Sequence, residues 1–381
     1  MRIKTVFIWK TLGDYHRARI RALLERPEID LHVVELCGFD PEYPWWQPQP
    51  ADFNRVQIWE GSYHPILEPL LAIGTARAIW KIRPDAVVIP GYNTLSLLLI
   101  TCMTRMFGKR AILSGVSHAL DKKRSVFRER IKKIVLRLYS GALVSGELSK
   151  RYFIGLGFDE KKVFVVGNVV DNDFFIREAE KARAEESTRR NRYELPDDYF
   201  LYVGRFAREK NLEMLLQAYE QYARSCNQPF SLVFVGGGSL EAVLKKQAQE
   251  KELSSLVKFY PFQKSTELVN FYAPARAFVF PSLSEPWGLV VNEAAACSLP
   301  LLISNRCGCA PELVKNAENG FVFDPETPAE LSKKMKECSD GKFDLKQFGH
   351  HSRARVGLLS LSHYAEKVEG ALVQIAARAK T

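Results

Sequence analysis

The chain has 381 residues, 46% hydrophobic and 26% charged, with 23 Gly and 19 Pro, globular values that exclude a disordered, collagen-like or disulfide-scaffold protein. Its length is beyond the size at which one hydrophobic core stops growing, so two domains are expected. The net charge of +10 is uneven: residues 1–168 hold 26 Lys and Arg against 16 Asp and Glu while the rest balances, which points to an anionic partner for the first half.

Met1 to Trp9 opens the chain as a short strand, its apolar run Val6 to Trp9 too brief for a secretory signal. Thr5 to Trp9, Leu31 to Leu36, Ala86 to Pro90, Arg110 to Ser114, Ala142 to Ser145 and Val163 to Val166 read as strands separated by helix-spaced segments. Apolar runs without polar alternation are what a parallel sheet covered on both faces requires. Leu95 to Met103 is the longest such run, about half of the roughly 20 residues of a membrane span, and reads as a buried helix. Residues 171–198 are charged and irregular, a solvated helix or linker at the expected domain boundary. A second series follows at Tyr199 to Val203, Ser231 to Val235, Val257 to Tyr260, Ala277 to Pro281, Leu301 to Ile303 and Gly320 to Phe323. In the last segment, 361–381, Ala365, Val368, Leu372, Ile375 and Ala379 share one helical face. The expected fold is α/β: two Rossmann-like doubly wound domains facing a cleft, over 1–170 and 199–360, with the terminal helix crossing back to the first.

Seven cysteines, an odd number and mostly far apart, fit a reducing cytosol. Cys307-Gly308-Cys309 has no second pair to complete a zinc set and reads as a loop. Gly236-Gly237-Gly238 follows a strand but lacks the G-x-G-x-x-G spacing and the acidic residue beyond it, so no NAD is expected.

The most informative stretch runs from Pro281 to Ala296, where a strand ends and a helix begins near Gly288. A helix N-terminus beyond a parallel strand offers N–H groups and a positive dipole end to phosphate, which makes Gly288 and Leu289 candidate contacts. Glu285 precedes that helix, and Glu293 lies about one and a half turns inside it, a candidate acceptor for hydroxyl groups. Taken singly, Glu285 reads as a cap that favours the helix dipole and Glu293 as a solvated residue on an ordinary surface; their spacing and the strand-to-helix context favour function. The stretch Leu201 to Leu212 repeats the strand-turn-helix pattern, and its Arg205 and Lys210 are cations that can converge on a diphosphate, or a merely solvated turn.

These residues together resemble the retaining family 4 glycosyltransferases of GT-B fold. The resemblance rests on Glu285 and Glu293 as an E-x7-E element, on Gly204-Arg205 with Lys210-Asn211, on Phe234 to Gly238, and on Pro311 to Val314 followed by Asn319 to Val322. It implies that Arg205 and Lys210 hold a donor diphosphate, Glu293 its ribose and Glu285 the transferred sugar, with backbone contacts from Gly288 and Leu289. Thr11 to Tyr15 is similar to the family's N-terminal glycine loop, giving Gly13 to the donor-binding set with one Gly where a pair is common. His118 matches the position of a histidine beside the donor sugar. The resemblance further implies a nucleotide-sugar donor, a saccharide or lipid-linked acceptor, and retention by front-face attack without a cofactor. No Asp-x-Asp stands in a suitable loop, so metal independence is expected. A sugar phosphorylase, a nucleotide-sugar epimerase and an inactive nucleotide-sugar binding subunit are the competing readings.

Residues 122–137 concentrate Lys122, Lys123, Arg124, Arg128, Arg130, Lys132, Lys133 and Arg137, with Phe127, Ile131, Ile134, Val135 and Leu138 at helical spacing. Two readings stand: the apolar residues pack on the first sheet and the charges are solvated, or the helix lies on an anionic membrane surface. The second would place the protein on the inner face of a membrane. No nucleic-acid module surrounds these charges, so a nucleic-acid partner is not expected.

Overall fold

A computed structural model describes residues 2–41, 52–121 and 124–377. The chain forms two compact units, one comprising 1–119, 123–169 and 361–381, the other 120–122 and 170–360.

In the first unit the elements run β1 (Ile3–Trp9), α1 (Asp14–Leu24), β2 (Ile29–Phe39), β3 (Arg55–Ser62), α2 (Glu68–Ile82), β4 (Ala86–Ile89), α3 (Leu95–Met106), β5 (Arg110–Gly115), α4 (Val126–Leu136), β6 (Gly141–Val144), α5 (Glu147–Gly155) and β7 (Val163–Val165). Its sheet has the order β3-β2-β1-β4-β5-β6-β7, with every pairing parallel. All four residues of β4 and of β6 are buried, as apolar runs between two helical layers must be. Edge strand β3 is absent from the sequence-based reading, because Arg55, Gln57 and Glu60 interrupt its apolar run and much of it faces solvent. Helix α3 buries one face only, through Leu97, Ile100 and Thr101, and leaves Leu95 and Met106 exposed. Among the described residues no helix is long and apolar enough to cross a membrane.

The second unit continues with α6 (Asn172–Ala184), α7 (Glu186–Tyr193), β8 (Tyr199–Arg205), α8 (Leu212–Arg224), β9 (Ser231–Gly237), α9 (Glu241–Glu250), β10 (Val257–Tyr260), α10 (Ser265–Tyr272), β11 (Ala277–Phe280), α11 (Leu289–Ala296), β12 (Leu301–Ser304), α12 (Ala310–Leu313), β13 (Gly320–Phe323), α13 (Pro328–Ser339) and α14 (Leu345–Gly357). Its six-stranded sheet has the order β10-β9-β8-β11-β12-β13, again parallel throughout, the doubly wound pattern. The charged stretch after residue 171 is helical, and α6 buries Phe175, Ala179 and Ala182. A ladder of rings crosses the sheet, with Tyr202 stacked on Phe280 at 6.0 Å and Phe234 on Phe259 at 5.1 Å. Gly236 is required here: a Cβ built on it would stand 2.0 Å from the carbonyl oxygen of Gly204 on the neighbouring strand, at φ +147°.

The final helix, α15 (Leu361–Ala377), returns to the first unit and packs on α1, β1, β6 and β7. Glu369 fixes it there, accepting from the Arg26 guanidinium and the Glu28 N–H at 2.9 Å each.

Candidate functional site

In the second unit β8 and β11 lie side by side, but their chains leave in opposite directions, toward β9 and β12. Such a reversal opens a crevice beyond the strand ends, the place where open α/β sheets bind ligands. The two loops there are joined: Leu283 donates its N–H to Glu209 O at 2.9 Å, and the Asn211 amide donates to Pro281 O at 3.3 Å and Pro325 O at 2.8 Å. Asn211 does this from the left-handed region, at φ 59°, which Asn tolerates better than most residues.

This stapling gathers Arg205, Lys210 and Glu285. Lys210 is ion-paired with Glu285, both mostly buried, and its ammonium lies 5.3 Å from the Phe280 ring centroid. Arg205 reaches further out, pairing with Glu209 at 2.9 Å and remaining 41% exposed, so its guanidinium is open to an incoming anion. The Tyr202 hydroxyl holds the Arg205 carbonyl at 3.0 Å. Burial, reinforced by the Glu285 charge, keeps that phenol protonated far above the usual range.

Gly288 caps α11 at φ +99°, a conformation that suits only glycine well. The first N–H groups of the helix, starting at Leu289, have no partner within it and carry its positive end. Glu293 sits further along α11 and is fully buried, accepting from the Tyr272 hydroxyl at 2.8 Å. The solvated-surface reading of Glu293 therefore fails. Trp287 donates to Asn292 at 2.9 Å beneath the same turn. The Cys307-Gly308-Cys309 turn clamps the segment from the other side, Gly308 N–H donating to Glu285 O at 3.0 Å and Cys309 N–H to Trp287 O at 3.2 Å. Both thiols are buried, which raises them well above the ordinary cysteine range and keeps them protonated.

In the first unit the Gly13 loop leaves β1 at the corresponding reversal between β1 and β4. Its N–H groups are already used: Leu12 donates to Glu35 at 2.9 Å and Gly13 to His16 Nδ1 at 3.0 Å. Desolvation, with the nearby Arg19 charge, lowers His16 to about 3, so it stays a neutral acceptor. His118 follows β5, is fully buried, and accepts at its carbonyl from the Arg124 guanidinium. A cavity of about 60 Å³ lies at the ends of these strands, lined by Trp9, Arg19, Ser114, Ser145, Asn168 and Tyr364.

Sequence reasoning did not find Tyr272, His16 or Glu35, each of which acts through a partner distant in the chain or lies outside any motif, and it read Glu209, four residues from its partner Arg205, as one more charge of a solvated turn. One Asp-x-Asp does occur, Asp171-Asn172-Asp173, at the start of α6. There Asp171 caps the helix through Phe174 N–H at 3.0 Å, and the Asn172 amide donates to Val356 O at 2.9 Å. Lys122 and Lys123 lie outside the described residues.

Residues 183–355 match the family model described as "Glycosyl transferases group 1". The chain is 32% identical over 162 residues to O-antigen chain mannosyltransferase C of Escherichia coli, a match covering 42% of each protein. It thus spans less than half the length of the curated relatives it matches first. Among solved structures it is similar to sucrose-phosphate synthase from Thermosynechococcus elongatus, with a TM-score of 0.77 at 18% identity, covering 99% of this chain and 100% of that one. It is also similar to Anabaena HepE in complex with UDP, with a TM-score of 0.74 at 16% identity over 98% and 100% of the two chains. Both likenesses are of fold.

Proposed function

Since residues 183–355 match the glycosyl transferases group 1 model and the chain has the GT-B fold, we propose that it is a member of that family and a retaining hexosyltransferase working from a nucleotide-diphosphate sugar. The observation that carries this reading is the convergence of Arg205, Lys210, Glu285 and the α11 N-terminus at the β8–β11 reversal.

Two cations and a helix dipole suit a departing diphosphate, whose charge grows in the transition state and is best stabilised by groups already in place. Arg205 supplies a planar fork and Lys210 a point charge, with Gly288 and Leu289 N–H groups completing the cradle. Phosphate oxygens then compete with Glu209 and Glu285 for the two cations. Glu285, released from Lys210 in part, meets the transferred sugar. Glu293 is assigned to the ribose hydroxyls, for which a carboxylate is an acceptor. The family resemblance assigns His118 to the donor sugar and Gly13 to donor binding, and both remain part of this proposal. The acceptor hydroxyl attacks from the face the diphosphate leaves, and a phosphate oxygen takes its proton, so no covalent enzyme intermediate is needed. The cations perform the leaving-group role that a divalent ion has elsewhere. The acceptor is a saccharide, carried on lipid, at an anionic membrane surface that the charge surplus of residues 1–168 attracts.

The test is a thermal-shift and calorimetric panel of nucleoside mono- and diphosphates. UDP leads it because a structural neighbour was solved with that ligand. A ligand at 100 times its Kd raises stability by about 2.7 kcal/mol. One diphosphate should stabilise the protein and its monophosphate should not; indifference to every diphosphate would end the donor assignment.

A further inference from the structure

Helix α4 is attached to the first unit by one side. Leu136 is buried in the core, with Val135 and Leu138 packed partly against it. Lys132 donates to the Tyr152 hydroxyl at 2.9 Å and pairs with Glu129 at 2.7 Å, while the Arg124 guanidinium lies 4.4 Å from the Tyr152 ring centroid. At about 3.6 residues per turn, positions 129, 132 and 136 share the inward face. Phe127, Ile131 and Ile134 fall on the reverse and are 71%, 45% and 66% exposed, with Val126 at 73% beside them. The apolar set of this segment is therefore divided: its C-terminal members join the core and its N-terminal members face water. A contiguous exposed ridge of this kind marks an interaction surface.

Along one edge of the ridge run Arg130, Lys133 and Arg137, and Arg128 flanks the other; all four are exposed and none forms an ion pair among the described residues. A partner helix would usually be met by charges of both signs, whereas a ridge bordered by cations alone fits anionic lipid, with long basic stems reaching up to the phosphates. We propose that α4 is a bilayer-docking helix: Phe127, Ile131 and Ile134 enter the acyl boundary of an anionic membrane, and Arg128, Arg130, Lys133 and Arg137 engage lipid phosphates. This deepens the membrane part of the functional reading, on which it rests only for the acceptor being lipid-borne, from charge attraction to apolar insertion. The root of the helix is tied to the loop after β5, where Arg124 donates to the His118 carbonyl.

The experiment is co-sedimentation of the full chain with phosphatidylcholine vesicles, pure or with about one third phosphatidylglycerol, at about 0.15 and 0.5 M salt. The variants are Phe127→Ser/Ile131→Ser/Ile134→Ser and Arg130→Gln/Lys133→Gln/Arg137→Gln. All six positions are exposed, and unchanged melting curves verify the fold. Wild type should bind the anionic vesicles and retain part of that binding at high salt. The serine triple should bind about tenfold more weakly or less at both salts, and the glutamine triple should lose chiefly the low-salt component. Serine-triple binding equal to wild type, no vesicle binding by wild type, or a wild-type dimer that the serine triple dissociates would each overturn the proposal. No donor takes part in this measurement, so vesicle binding without nucleotide binding would leave docking standing and remove the transferase reading.

Discussion

Glu293 shows why a substitution at this site must be chosen by chemistry. Replacing it with Ala removes both the ribose acceptor and the partner of a buried Tyr272 hydroxyl, so affinity and stability should fall together, each by about 1.5–3 kcal/mol. Glu293→Gln keeps an acceptor oxygen for Tyr272 and should lower nucleoside diphosphate affinity with little change in melting temperature. Calorimetry beside thermal melts separates the two, and equal melting losses in both variants would reduce Glu293 to a structural residue. Glu285→Gln, which touches only the sugar in this scheme, should depress turnover more than diphosphate affinity. His16 gives a pH prediction. Its folded value of about 3 lies below the ordinary 6.5, so the unfolded chain binds the extra proton; its contribution to stability is whole above about pH 6.5 and is lost as the pH falls toward 3. His16→Asn offers Gly13 N–H an acceptor that does not titrate, and the decline in melting temperature between about pH 6.5 and 4 should be shallower in that variant. Parallel pH profiles would remove His16 as the sensor.

At the scale of elements, the strands were legible because parallel strands between helices are apolar on both faces, as in β4, β6 and β11. Strand β3 was not, since an edge strand keeps polar residues that hide its period. The glycine triplet at the end of β9 shows a further limit: its spacing argued against a dinucleotide turn but gave no reason for three glycines, and Gly236 and Gly238 are fixed by close backbone approach to Gly204 and Phe206. Gly236→Ala should therefore cost about 3 kcal/mol or more, through strain and contact at once, read as a lower denaturant midpoint; a midpoint within error of wild type would contradict that packing. The cations and glutamates of the candidate site were legible as a pattern. Their present partners were not, because Lys210 with Glu285 and Glu293 with Tyr272 meet only after β8, β11 and α10 are assembled.

At the scale of the whole molecule, the last helix belongs to the first unit, and Glu369 is its anchor. Glu369→Ala should destabilise that unit by about 2 kcal/mol, leaving the Arg26 charge and the Glu28 N–H without their acceptor. Nucleoside diphosphate binding should survive, because the second unit holds its own core. The reading stands or falls on retaining transfer from a nucleotide sugar, and transfer itself is the measurement: the nucleotide sugar selected by the binding panel, a lipid-linked saccharide acceptor, and the anomeric configuration of the product read by NMR, with and without excess chelator. The product should keep the donor's anomeric configuration and form at the same rate in chelator. An inverted product, release of sugar only with inorganic phosphate, or diphosphate binding with no transfer to any acceptor would contradict it.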